Sequence, residues 1–217
     1  MKKKLDIISL NKKAWNNAAK IYEQAKYGKL NELAVLFCEK LPEKALILDL
    51  GSGTGIPFTK YFVDKGFKVL GIDISAQMVK LSQANVPEAD FKELSMTDLD
   101  YINKFDGIFS NYSMLCLNPP LFKDVASRLE KALKNNGLLY IALNEPRELE
   151  QNLDEDVFVE IMGEKMYSRA YTEKEILETF TPLGLTLLKI HREIINSKEF
   201  GIEYCTRFLF KKMPIKK

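Results

Sequence analysis

The chain reads as an α/β fold: a doubly wound, mostly parallel sheet of seven strands with an antiparallel C-terminal strand pair at one edge. Three observations predict it. Short apolar runs alternate with longer amphipathic stretches from about residue 30 to residue 145. Runs such as "ALILDL" (45–50) have almost no polar face, as expected of a strand covered on both sides. After residue 172 two apolar runs follow one another with no helical pattern between them, which suits antiparallel pairing better than a crossover.

Taken in order, residues 30–41 carry apolar side chains at 30, 33, 34, 36, 37 and 41, a helical stripe that stops before Pro42. The first strand is 45–50. Thr54–Lys65 reads as a helix ending at Gly66, and "KVLGID" (68–73) as the next strand. Ser75 caps a helix that turns Met78, Val79 and Leu81 inward and fades near Pro87. "ADFKEL" (89–94) and "FDGIFS" (105–110) are further strands. "PPLFKDVASRLEKALKNNG" is a helix with Gly137 past its end, and "GLLYIALN" (137–144) is the fifth strand. Repeated βα units imply parallel neighbours joined by right-handed crossovers, with helices on both faces. In the tail, Thr172 and Glu175 have capping-box spacing, and "TLLKIHRE" (186–193) and "CTRFLFKK" (205–212) are the antiparallel pair.

Composition bounds the function. With 217 residues, 46% of them hydrophobic, one domain can bury a sufficient core without disulfides. The formal net charge is only +2, with lysines concentrated at the two ends, so bulk electrostatics do not point to nucleic acid. Cys38, Cys116 and Cys205 have neither metal nor disulfide spacing, which favours a reducing compartment. The N-terminal stretch is too short and polar for a signal peptide or membrane span. A cytoplasmic protein with no metal is expected.

The stretch Leu48–Ile56, "LDLGSGTGI", places Gly51, Gly53 and Gly55 at a strand-to-helix turn. A dinucleotide loop is written G-x-G-x-x-G, and here Ile56 stands where the last glycine belongs. A nucleoside-bearing ligand pressed on bare backbone, with no phosphates to hold, fits better. Asp73 closes the second strand 22 residues after Gly51, a separation at which a carboxylate reaches both hydroxyls of a ribose. A helix-capping or surface role is its alternative.

The segments "ILDLGSGTG", "VLGIDISAQMVKLSQA", "FDGIFSNYSMLCL" and "NNGLLYIALNE" resemble class I S-adenosylmethionine-dependent methyltransferases over roughly residues 15–212, and most of all the small-molecule enzymes similar to those of quinone and biotin biosynthesis. The resemblance implies a Rossmann-like fold and S-adenosylmethionine as cofactor. It implies that Gly51, Gly53 and Gly55 pack on the methionine part and that Asp49 helps hold its amino group. Asp73 would bind the ribose, Ile74 and Met78 the adenine, and Asn111 would line the pocket near the sulfonium. Ser95 and Met96 stand where the family often has an aspartate for the adenine amino group, with Asp98 three residues late as the alternative. The chain then divides into a lid segment (1–29), a cofactor-binding core (30–145), a substrate-side insertion (146–171) and a terminal helix with the strand pair (172–217).

No catalytic base is legible, and none is required, because a sulfonium is already an activated methyl donor. In the lid, similar enzymes bring a tyrosine to the cofactor carboxylate, and Tyr27 is preferred to Tyr22; the alternative is an aromatic face packed on the core. Tyr22, Tyr112, Glu145, Tyr167 and Arg169 are the substrate-side candidates. Alternation in "KMYSRAY" puts Tyr167, Arg169 and Tyr171 on one face, either wet or turned to the acceptor. Asn118-Pro119-Pro120 looks like an amino-methylation motif but is explained by a helix start, and His191 lies in a strand with no ligand set around it. The expected partner is a small-molecule methyl acceptor, with no nucleic acid, and the oligomeric state is open. A non-catalytic cofactor sensor or scaffold, and less so an NAD-dependent oxidoreductase, are the rival functions.

Overall fold

The computed structural model describes residues 6–25, 29–146, 157–197 and 201–214. Helix α1 (Ile7–Ala25) starts at Asp6, whose carboxylate accepts from the Ile8 and Ser9 N–H groups. Then come α2 (Glu32–Lys40), β1 (Leu46–Leu50), α3 (Phe58–Asp64), β2 (Lys68–Asp73), α4 (Ala76–Asn85), β3 (Asp90–Glu93), β4 (Phe105–Asn111), α5 (Pro119–Ala132) and β5 (Leu133–Asn144). A hairpin of β6 (Phe158–Ile161) and β7 (Glu164–Tyr167), α6 (Glu173–Phe180), β8 (Leu185–Ser197) and β9 (Gly201–Lys212) complete the order.

The main sheet has seven strands in the order β3-β2-β1-β4-β5-β9-β8. The first five are parallel, and β9 and β8 join antiparallel, so the expected fold is the observed one. The order reverses between β1 and β4, and a doubly wound sheet binds its ligands at the carboxyl ends of the strands beside such a reversal. One face buries Phe37, Phe62, Phe109 and Tyr140 against α2 and α3. The other buries Ile108, Ile141, Phe122, Leu129 and Phe208 against α5 and α6. The caps stand as read: Ser75 Oγ accepts from Met78 N–H, Asn118 Oδ1 from Leu121 N–H, and Thr172 and Glu175 form the full capping box. Among the described residues no helix is long and apolar enough to cross a membrane.

Three local expectations need correction. The helix expected over Thr54–Lys65 begins only at Phe58, because a residue before proline is pushed out of the helical region and Pro57 therefore keeps Ile56 outside. The turn before it is correspondingly longer, with positive φ at Gly51, Gly53 and Gly55. At the other end of the sheet α5 stops at Ala132, five residues before Gly137. Lys212 Nζ donates to the carbonyls of Glu130 (2.6 Å) and Leu133 (3.0 Å), so a lysine from β9 satisfies the helix end that a glycine was expected to terminate.

The third correction concerns "KMYSRAY". The strand ends at Tyr167, and Arg169 and Tyr171 lie beyond it, so the three do not share a strand face. None is wet: Tyr167, Arg169 and Tyr171 are all buried. The β6–β7 hairpin, with positive φ at Met162 and Gly163 in its two-residue turn, packs its apolar side on Ala14, Trp15 and Ala18 of α1. Asn11 clamps the two, accepting from Tyr167 N–H at 2.8 Å and donating to its carbonyl at 2.9 Å.

Candidate active site

The glycine loop is anchored by the neighbouring strand. Gly51 and Ser52 N–H both donate to the Ile72 carbonyl, at 2.8 and 2.9 Å. Gly51 has φ +71°, and a Cβ there would stand 2.3 Å from Ser113 Cβ, so the position is closed to any side chain. Ser113 is itself fixed, its hydroxyl donating to the Leu50 carbonyl at 2.6 Å.

Two carboxylates lie beneath this loop. Asp73 accepts from Gly53 N–H (3.0 Å) through one oxygen and from Ser75 N–H (2.9 Å) through the other. It therefore braces the loop and holds Ser75, the cap of α4, at once, and each oxygen keeps a lone pair for a further donor. Asp49 is 3% exposed and accepts from Thr59 Oγ1 at 2.5 Å. Burial pushes Asp49 up to about 7, against the Thr59 hydrogen bond, and the charge of Asp73 raises it further. Burial likewise lifts Asp73 to about 6, over the opposing backbone hydrogen bonds. No ion pair among the described residues involves either group. The Ser52 hydroxyl in the same loop is buried with no hydrogen-bond partner among the described residues. Such a loop has donors to offer, two acids short of a cation, and no room for the charge of a pyrophosphate.

Helix α1 lies across the opening. A Cβ on Gly53 would stand 3.7 Å from the Tyr22 ring, and Tyr22 packs edge-on to Trp15. Burial and then the charges of Asp73 and Asp49 push the Tyr22 hydroxyl up to about 12. Asn16 of the same helix accepts from Ser75 Oγ (2.9 Å) and Gln77 N–H (3.2 Å), tying α1 to the start of α4. Of the two lid tyrosines, Tyr22 thus meets the loop, whereas Tyr27 lies outside the described residues.

Residues 47–137 match the model of a family described as a methyltransferase domain. That stretch of the chain is similar to a methyltransferase domain. An uncharacterized methyltransferase of Alkaliphilus oremlandii is 28% identical over 107 residues, 48% of this chain and 49% of that protein. The chain spans about half the length of the curated relatives it matches, from 30% to 61% of the first three. Among solved structures, a SAM-dependent methyltransferase of Methanosarcina mazei superposes with a TM-score of 0.75 at 16% identity, covering 87% of this chain and all of that one. The 1,6-didemethyltoxoflavin-N1-methyltransferase of Burkholderia thailandensis, with bound 1,6-didemethyltoxoflavin and S-adenosylhomocysteine, gives 0.72 at 18% identity over 95% and 88% of the two chains. At these identities the structures attest the fold.

Around the glycine loop and beyond it the remaining candidates divide by position. Ile74 follows Asp73 at the rim, and Met78 is buried in the first turn of α4. Leu94 N–H donates to the Asp73 carbonyl, which brings Ser95 and Met96 alongside. The Ser95 hydroxyl is engaged by Thr97, as cap of the short turn Met96–Asp98, and Asp98 is exposed. Asn111 ends β4 at the rim, and Tyr112 follows with φ +59°, a backbone strain for a bulky side chain. Two acceptor candidates are engaged elsewhere: Glu145 pairs with Arg192 at 3.5 Å, and Arg169 with Glu175 at 2.8 Å while stacking 4.5 Å over the Tyr171 ring. His191 sits on the edge strand. Sequence reasoning missed Thr59, Ser113 and Arg207. The first two carry no signal, being ordinary hydroxyls. Arg207 carried one: a lone charge between Cys205 and Leu209 on one face of an apolar strand.

Proposed function

We propose that the protein transfers a methyl group from S-adenosylmethionine to a small-molecule acceptor by in-line displacement. The observation that carries the reading is the pair Asp49 and Asp73, one buried and one half-buried carboxyl without a cationic partner among the described residues, under a loop of bare backbone. S-adenosylmethionine brings an ammonium, a sulfonium and a ribose diol, which are the cations and donors such a loop is short of; a dinucleotide would bring a pyrophosphate against two acids. Bound there, the cofactor supplies an activated methyl carbon.

The chain's own residues bind and orient. Asp49, held in place by Thr59, faces the ammonium. Asp73 offers its remaining lone pairs to the ribose hydroxyls while its backbone bonds keep the loop open. The unsatisfied Ser52 hydroxyl is an additional partner for a polar group of the cofactor. Tyr22 covers Gly53 and excludes water from the cofactor, and Asn111 and Tyr112 border the acceptor side at the end of β4. Alignment of two reactants in a dry site can supply the greater part of such an acceleration, about 7–11 kcal/mol in favourable geometries. The small-molecule character of the acceptor is supported by the likeness to the Burkholderia enzyme, whose structure holds 1,6-didemethyltoxoflavin beside S-adenosylhomocysteine.

Thermal melting tests the reading. S-adenosylhomocysteine at about 100 times its dissociation constant should add about 2.7 kcal/mol of stability, and NAD none. A shift with NAD and none with S-adenosylhomocysteine would remove the methyltransferase proposal. Transfer of labelled methyl to members of a metabolite panel separates an enzyme from a cofactor sensor.

A further inference from the structure

Arginine is costly to bury, since its charge persists and its five N–H donors all need acceptors. Arg207 is 4% exposed in the interior of β9. Its surroundings leave those donors underused. Nη2 reaches the Tyr112 hydroxyl only at 3.4 Å. Nη1 stands 2.8 Å from Glu193 Oε2 on the edge strand, but outside hydrogen-bonding geometry, and Nε has no hydrogen-bond partner among the described residues. Glu193 is itself about half exposed, with 48% of its side chain open to solvent.

The groups that gather around the guanidinium are mostly donors too. Tyr140 Oη accepts from Asn31 Nδ2 at 3.0 Å and lies beside Arg207, and no acceptor for its own proton stands among the described residues. Asn31 cannot turn to help, because its Oδ1 accepts from Ala34 N–H as the cap of α2. Burial holds the Tyr112 and Tyr140 phenols well above their ordinary range, so both remain hydroxyls. The one anion the described residues bring to the cluster is Glu193, held from the half-exposed edge strand.

Its place in the sheet relates it to the reacting end of the site. Asn111 on β4 pairs with Ala142 on β5, and Ala142 pairs with Arg207 on β9, so the three occupy one rung. Two strand spacings separate Asn111 from Arg207, about 10 Å. That is the length of a small molecule lying along the strand ends, one end at Asn111 and the other at Arg207.

We infer that Arg207, with the hydroxyls of Tyr112 and Tyr140, anchors a carboxylate of the methyl acceptor, and that Glu193 is the resident counter-ion this carboxylate displaces. The inference names the acceptor class for the methyltransfer proposed above and rests on that reading. A carboxylate matches the planar guanidinium fork with two parallel bonds, from Nε, which has no partner among the described residues, and from Nη2, which has only the long contact to Tyr112. Glu193, half exposed and poorly aligned, leaves at small cost. Discrimination follows: an amide in place of the acid brings its own donors against a cluster that already has too many.

The test uses the whole protein saturated with S-adenosylhomocysteine and matched pairs of acids and primary amides, among them benzoate with benzamide, 4-hydroxybenzoate with 4-hydroxybenzamide, 3-phenylpropionate with its amide, and indole-3-acetate with its amide. Binding is measured by titration on the wild type, Arg207→Gln and Glu193→Gln. Carboxylates should bind at least tenfold tighter than their amides. Arg207→Gln should erase that preference while amide binding persists, and Glu193→Gln should tighten carboxylate binding by about threefold or more. The inference is overturned if no carboxylate of the set binds, if amides bind equally well, or if the preference survives in Arg207→Gln. Should Arg207→Gln fail to fold, Glu193→Gln decides alone, and unchanged carboxylate affinity there overturns the inference. The melting shift with S-adenosylhomocysteine in the same samples reports on the methyltransfer reading separately: its loss refutes that reading, whereas its presence without an acid preference refutes only the anchor.

Discussion

Replacing Asp49 by Asn should stabilise the ligand-free protein increasingly as pH rises, while removing a group the cofactor needs. Asp49 is 3% exposed and raised to about 7 in the folded protein, against about 3.9 for an unfolded aspartate. The folded state therefore holds the proton more tightly than the unfolded state. Stability from this group is greatest at low pH, begins to fall above about 4 and continues to fall until about 7. Over the interval from pH 5 to pH 8 the ionisation costs the wild type about 2–3 kcal/mol that an uncharged Asn does not lose. Asn keeps the acceptor for Thr59 but buries an amide N–H pair, a cost of about 1–3 kcal/mol that does not depend on pH. The difference in melting temperature, variant minus wild type, should thus grow by about 5–10 °C from pH 5 to pH 8 for a chain of this size. Calorimetric melts of both proteins across that range provide the measurement. A difference that stays flat with pH would falsify the placement of a buried, unpaired carboxyl under the loop, and with it the reason for expecting a cationic ligand there.

Three further outcomes are expected. Asp73→Ala removes charge-assisted hydrogen bonds to the ribose worth about 1.5–3 kcal/mol each, so titration with S-adenosylhomocysteine should show at least a tenfold weaker affinity; unchanged affinity would take Asp73 out of the site. Gly51→Ala forces an L-residue to positive φ and drives its Cβ into Ser113, so the melting temperature should drop by about 5–15 °C, from about 2–4 kcal/mol of combined strain and overpacking. Asn118→Ala removes only a helix cap, about 1 kcal/mol, and should lower melting by about 2–4 °C with S-adenosylhomocysteine binding intact. Loss of binding without loss of stability would instead make Asn118-Pro119-Pro120 part of the site.

What the sequence determined by itself was whatever is written in short, contiguous signals. Strand runs such as Ala45–Leu50, the caps Ser75, Asn118 and Thr172, and the spacing of Gly51, Gly53, Gly55 and Asp73 all act within a few residues or one βα unit, so their chemistry is visible in order along the chain. Only the tertiary structure decided what meets across long separations. Tyr22 over Gly53, Asn11 clamping Tyr167, Lys212 ending α5, and Arg207 beside Tyr112 and Tyr140 each join segments whose proximity depends on strand order and crossover, which no local pattern encodes. The same limit explains the residues after the fifth strand, where alternation in "KMYSRAY" described only the strand that ends at Tyr167. It explains Arg169 as well: its charge is compensated by Glu175, which the sequence shows as half of a capping box and only the fold shows as an ion-pair partner. A charged residue's role is set by the charges that packing brings to it, and those arrive from elsewhere in the chain.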